Sequence, residues 1–188
     1  MQLDFTITLS GEISSWFLQM GCTTFQEACL YIQQLPYKRN AKPDYFCVMQ
    51  EKKGVCSTKH ALLKQLCNEQ QHLEIKLIVG IYEMNEYNTQ GVGKVLDKYK
   101  LPYVVEAHTY LKYEQEILDF TKVNNNLLFA DSLIDEVEIQ ANQTGEYKIN
   151  LHKKYMQERL FNSVNAATYD LAQMWTIREE CIAALLEE

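Results

Sequence analysis

Three side chains in this sequence are of the types that an acyl-transfer site needs: Cys56, His108 and Asp119. Cys56 follows Gly54 and opens a stretch of helical spacing, in which Cys56, Leu62, Leu63, Leu66 and Cys67 share a face. A thiol at a helix start lies at the positive end of the helix dipole, which favours the nucleophilic thiolate. A nucleophilic cysteine needs a base, and the base needs a group that orients it. Of the four histidines, His60 lies one helical turn after Cys56 and reads as a helix-surface or capping residue. His72 and His152 stand among polar residues and read as solvated. His108 differs, because it lies inside the strongest strand pattern, between Ala107 and Thr109. Asp119 lies in the next strand pattern, between Leu118 and Phe120, where a carboxylate needs a partner.

A simple hairpin relates the last two. With a turn inside Lys112–Gln115, position 111 faces 116, 110 faces 117 and 108 faces 119. Directly opposed residues share a face with Cβ atoms about 5 Å apart, so this register is expected to set Asp119 beside His108. A competing reading groups His108, Glu106 and Cys56 around a metal. No CxxC and no four-ligand spacing occurs, so neither a metal nor another cofactor is expected. Gly91-Val-Gly93-Lys94 has the spacing of neither a Walker loop nor a dinucleotide fingerprint.

The elements that must position these residues follow from periodicity. Leu3, Phe5, Ile7 and Leu9 alternate with polar residues and predict a strand. Thr24 and Glu27 form a capping-box pattern ahead of a helix that Pro36 ends. Residues 36–54 read as an irregular loop, and a helix follows from Cys56. Leu73 to Ile81, Tyr103 to Leu111 and Glu116 to Thr121 predict strands, with a loop and short helix over 85–100. Val137 and Ile139, a turn at Thr144–Gly145, and alternating Tyr147, Ile149 and Leu151 predict a hairpin. From Tyr155 onward the spacing is helical: Met156, Leu160, Val164, Ala167, Leu171 and Trp175 form one stripe, and Ile177, Cys181, Ala184 and Leu185 another. Helices, then neighbouring strands, then helices predict an α+β fold with an antiparallel sheet.

The string Gly54-Val-Cys56-Ser-Thr-Lys-His-Ala-Leu-Leu63, His108 in a strand, and Leu118-Asp119-Phe-Thr121 together resemble the transglutaminase-like superfamily, as a small bacterial-type member. The resemblance covers about residues 25–123. It implies a papain-like core whose Cys-bearing helix packs on an antiparallel sheet. It also implies a triad of Cys56 as nucleophile, His108 as base and Asp119 as orienter, and a peptide, protein or small amide as substrate. Papain-like proteases place a Gln six residues before their Cys, so the resemblance also implies Gln50 as a candidate oxyanion donor alongside the Cys56 backbone N–H. Ser57 stands where animal transglutaminases have an aromatic residue, so the expected activity is that of a peptidase or amidase before that of a cross-linker. The alternative is a non-catalytic protein- or ligand-binding module on the same fold. Residues 130–188 form an extension without a counterpart in that pattern.

Length and charge set the outer limits. A chain of 188 residues suits a single domain over 1–188 with a sizeable core. With 47% apolar and 23% charged residues it is neither disordered nor fibrous. The net charge of −7 and the lack of a basic stripe argue against nucleic acid and anionic membrane as partners. No apolar run is long enough to span a bilayer. Six cysteines without a secretory signal predict reduced thiols in a cytoplasmic protein.

Overall fold

The computed structural model describes residues 3–123, 126–161 and 168–186. Its helices are α1 (Glu12–Gln19), α2 (Phe25–Gln34), α3 (Phe46–Glu51), α4 (Cys56–Glu69), α5 (Gly93–Tyr99), α6 (Glu146–Phe161) and α7 (Leu171–Leu186). Strands β1 (Lys76–Met84), β2 (Val104–Tyr113), β3 (Glu116–Leu118) and β4 (Leu133–Ile139) form one antiparallel sheet in the order β3-β2-β1-β4. The protein is therefore α+β. Its chain divides into two compact units, the first formed by Met1–Ile78, Thr109–Asn125 and Glu138–Gly145, the second by Val79–His108, Asn126–Val137 and Glu146–Glu188.

In the first unit, α4 is the central element. Cys56 through Lys64 are all buried, as are Leu66 and Cys67. A helix buried on every side must satisfy its polar side chains internally. Lys64 does so by donating from Nζ to the Ile75 carbonyl at 2.5 Å. The far end of α4 also starts α1: the Glu69 carboxylate accepts from the backbone N–H groups of Ile13 (2.9 Å) and Ser14 (2.6 Å). This cap comes so close that a Cβ on Gly11 would lie 2.3 Å from Glu69 Oε1. Helix α2 starts as its sequence predicts. Thr24 Oγ1 accepts from Glu27 N at 3.3 Å, and the Glu27 carboxylate accepts from Thr24 N at 3.2 Å.

In the second unit, α7 packs against α5 and α6. Helix α7 is opened by a reciprocal cap in which Gln173 N donates to Asp170 Oδ1 and Asp170 N to Gln173 Oε1, both at 2.8 Å. Glu106 of β2 is buried and accepts two bonds from the Arg178 guanidinium, Nε at 2.6 Å and Nη2 at 2.7 Å. Burial alone would raise the Glu106 carboxyl, but the Arg178 charge outweighs it and holds the group at about 2. His152 is also buried, with Nε2 2.8 Å from the Val105 carbonyl, and burial lowers its proton affinity. The reading of His152 as solvated is thus corrected.

Four further expectations are revised. Residues Leu3 to Leu9 form no strand but only an isolated Thr6–Thr24 bridge. Ile7 is buried and Phe5 stacks on Phe25 at 4.7 Å, while Leu9 is 74% exposed. The loop over 36–54 contains α3. The first long strand begins at Lys76, and Leu73 stands exposed before it. The second arm of the C-terminal hairpin is instead the start of α6. Tyr147 and Ile149 are exposed there, and the buried residues are His152 and Met156, four apart as on one helix face. The helical pattern from Tyr155 holds within α6 and α7 but is broken at 168–170, which are not helical, and Val164 and Ala167 lie outside the described residues.

Candidate active site

Cys56 is the first residue of α4. Val55 before it is extended, and the Val55 N–H donates to Thr58 Oγ1 at 3.1 Å, so the first turn is closed by its own side chain. Cys56 is 8% exposed. Its Sγ lies 3.8 Å from Ser57 Oγ, which in turn lies 3.3 Å from Thr109 Oγ1 of β2. Ser57 and Thr109 are both buried.

Asp119 follows the last paired residue of β3, and its side chain is fully buried. Its Oδ1 accepts from the Thr121 N–H at 2.9 Å and from Thr121 Oγ1 at 2.5 Å, which folds 119–121 into a tight turn. Two side chains of α4 fasten this turn to the helix. His60 Nε2 accepts from the Phe120 N–H at 2.8 Å, so the ring proton is on Nδ1, which donates to the Cys56 carbonyl at 2.8 Å. The 3.5 Å approach of Asp119 Oδ1 to the same Nε2 is a contact between two acceptors rather than an ion pair. Lys59 Nζ donates to the Thr121 carbonyl at 2.8 Å and to the Leu35 carbonyl at 2.7 Å. Burial lowers the Lys59 ammonium to about 8, against the pull of Cys56 and Asp119. His60, read from the sequence as a surface or capping residue, is completely buried and ties the Cys56 carbonyl to the turn of Asp119.

The hairpin register differs from the expected one. The pairs are Leu111 with Leu118, Lys112 with Ile117 and Tyr113 with Glu116. Only Glu114 and Gln115 form the turn, with Glu114 at φ 52. The expected pairing of 108 with 119 is replaced by a ladder that, continued by one step, would set 119 opposite 110. The new register keeps the parity of the old one, so the shift is by two positions along one face of β2. His108 is half-buried in β2, in a run where Val104 to Ala107 and Thr109 to Leu111 are buried, and its ring meets Phe129 edge-on at 4.9 Å. Gln50 lies exposed on α3.

The remaining motifs find structural partners. Glu106, one member of the metal reading, has both oxygens engaged by Arg178. Among the described residues, no three His, Cys, Asp or Glu side chains are grouped to hold a metal ion. In the Gly91–Gly93 loop the N–H groups of both glycines donate to the Glu86 carboxylate. The six cysteines are free. Burial raises Cys22 and Cys29, pushes Cys67 up to about 12 and pushes Cys181 up to about 11. His72, read as solvated, stacks on Phe5 at 3.8 Å and meets Glu74 Oε1 at 3.0 Å. Among the described residues no helix is long and apolar enough to cross a membrane.

Sequence offered one signal for the clamp. A lysine and a histidine at adjacent positions, three and four residues after Cys56, sit on the turn above it. Their burial depends on carbonyl and amide groups contributed about sixty residues later, which no local pattern reveals. Compared with known proteins, the chain matches no family model, no curated protein and no solved structure.

Proposed function

We propose that this protein is a transglutaminase-like cysteine enzyme with a papain-like core that transfers or hydrolyses acyl groups of amides. Cys56 is the nucleophile, His108 the base and Asp119 the orienting carboxylate. His108 takes the Sγ proton, and sulfur attacks the amide carbonyl carbon. The C–N bond breaks as His108 returns the proton to the leaving amine. Water, deprotonated by His108, then attacks the thioester and releases a carboxylate, regenerating the thiol. The substrate is a peptide, a protein side-chain amide or a small amide.

The observation that carries this reading is the fastening of the Asp119 turn to the first turn of the Cys56 helix. His60 joins the Cys56 carbonyl to the Phe120 amide, and Lys59 holds the Thr121 carbonyl. A triad's third member is a carboxylate that orients the base, and Asp119, buried and fastened beside the start of the Cys56 helix, is the carboxylate that supports this reading. A second reading, a non-catalytic binding module, is favoured by one observation: Asp119 Oδ1 already serves Thr121, as in a purely structural turn.

Thiol labelling separates the two. Four cysteines are held as thiols by burial, which leaves half-buried Cys47 as the internal reference. With limiting iodoacetamide at neutral pH, peptide mass spectrometry is expected to find Cys56 labelled first, and His108→Ala is expected to slow it. Labelling of Cys47 ahead of Cys56 would sink the enzymatic reading and leave the binding module.

A further inference from the structure

Lys59 is a lysine with no exposed surface in the interior of a helix. Burying an ammonium is costly unless its protons are matched. Here Nζ donates to the Leu35 and Thr121 carbonyls at 2.7 and 2.8 Å, with the Gln33 carbonyl at 3.5 Å. Gln33 and Leu35 lie at the carboxyl end of α2, where the helix dipole favours a cation. The third carbonyl belongs to the turn that Asp119 closes. Side chains on a helix lean toward its N-terminus, so Lys59 reaches back over the turn that Cys56 opens. The groups that bear on the ammonium are Cys56 and Asp119, which favour its charge, and Lys122, which opposes it; the His60 ring beside it is neutral.

Resting on the reading of Cys56 as nucleophile, we propose that Lys59 is a positioning residue of the same site. Its ammonium, fixed by backbone carbonyls of α2 and of the Asp119 turn, supplies the positive charge that stabilises the Cys56 thiolate and keeps Asp119 ionised. A hydrocarbon side chain of similar length fills the same space but leaves the Leu35 and Thr121 carbonyls without this donor, so the charge is read from thiol reactivity in a variant shown to fold.

The test is the pH dependence of Cys56 alkylation by iodoacetamide, read by peptide mass spectrometry, in the full chain and in Lys59→Met, with circular dichroism to establish folding. Loss of the cation is expected to raise the midpoint by about one pH unit, which slows labelling roughly tenfold below the midpoint. A folded Lys59→Met with an unmoved midpoint overturns the proposal. A second measurement needs no variant: the ratio of iodoacetate to iodoacetamide rates at Cys56 in the native chain. A nearby ammonium favours the anionic reagent, so the ratio is expected to fall several-fold as pH rises through about 8, where Lys59 loses its proton. A flat ratio overturns the proposal even if the variant does not fold. If native Cys56 is no more reactive than Cys47, the nucleophile reading itself fails and takes this inference with it. Fast native labelling with an unmoved variant defeats the role of Lys59 alone.

Discussion

Replacing His60 by Leu removes the acceptor of one half-buried backbone amide and tests how the Asp119 turn is held. The ring makes two bonds of 2.8 Å, one from Nδ1 to the Cys56 carbonyl and one from the Phe120 N–H to Nε2. The Cys56 carbonyl keeps its helical N–H partner after the substitution, so only the Phe120 N–H loses its acceptor. Each lost bond is worth about 1 kcal/mol net, and a stranded buried donor costs about 1–3 kcal/mol. Leu fills a similar volume, so no large cavity adds to this. The expected loss is about 2–4 kcal/mol, measured as a fall in the urea midpoint at unchanged slope. Hydrogen exchange at the Phe120 amide should rise toward that of exposed loops. Nitrogen NMR of the native ring should find the proton on Nδ1. A loss below about 1 kcal/mol, given the cost of stranding a buried donor, or a proton on Nε2, would refute the assignment of His60 as the acceptor that fastens this turn.

Three further outcomes are expected. Arg178→Met leaves Glu106 buried beside an apolar stem and should destabilise the fold by about 3–5 kcal/mol, read by denaturant titration; a neutral result would mean that the pair is solvated. Acid should weaken the protein in two stages. His152, whose proton affinity burial lowers below the usual 6.5, contributes stability that is complete above that pH and is lost as pH falls from it through the lower folded-state value. Glu106, held at about 2 against an ordinary 4.5, adds a second loss as pH falls below 4.5. Urea midpoints that stay level from pH 7 to pH 3 would contradict both assignments. Gly11→Ala places a Cβ 2.3 Å from Glu69 Oε1 and should displace the carboxylate that caps α1, exposing the Ile13 and Ser14 amides to exchange; unchanged exchange would show that the cap tolerates the methyl.

What the sequence determined by itself was local. The Thr24–Glu27 capping box is written in two side chains three residues apart, and it forms where the spacing places it. Cys56 opens a helix because Gly54 and the apolar period that follows mark its start. The strands at β1 and β2 are legible because their apolar residues fill a buried sheet. Tertiary structure decided whatever joins distant segments. Alternation over Tyr147, Ile149 and Leu151 fits a strand or a helix equally over five residues. It was settled by the inward row of His152 and Met156. The hairpin register turned on a positive φ at Glu114, a residue type that does not advertise it. His60 reads as a surface or capping residue and Glu106 as a metal candidate until an amide and a guanidinium from elsewhere in the chain reach them. A polar side chain can be buried only where such partners converge, and that convergence belongs to the folded chain rather than to any stretch of its sequence.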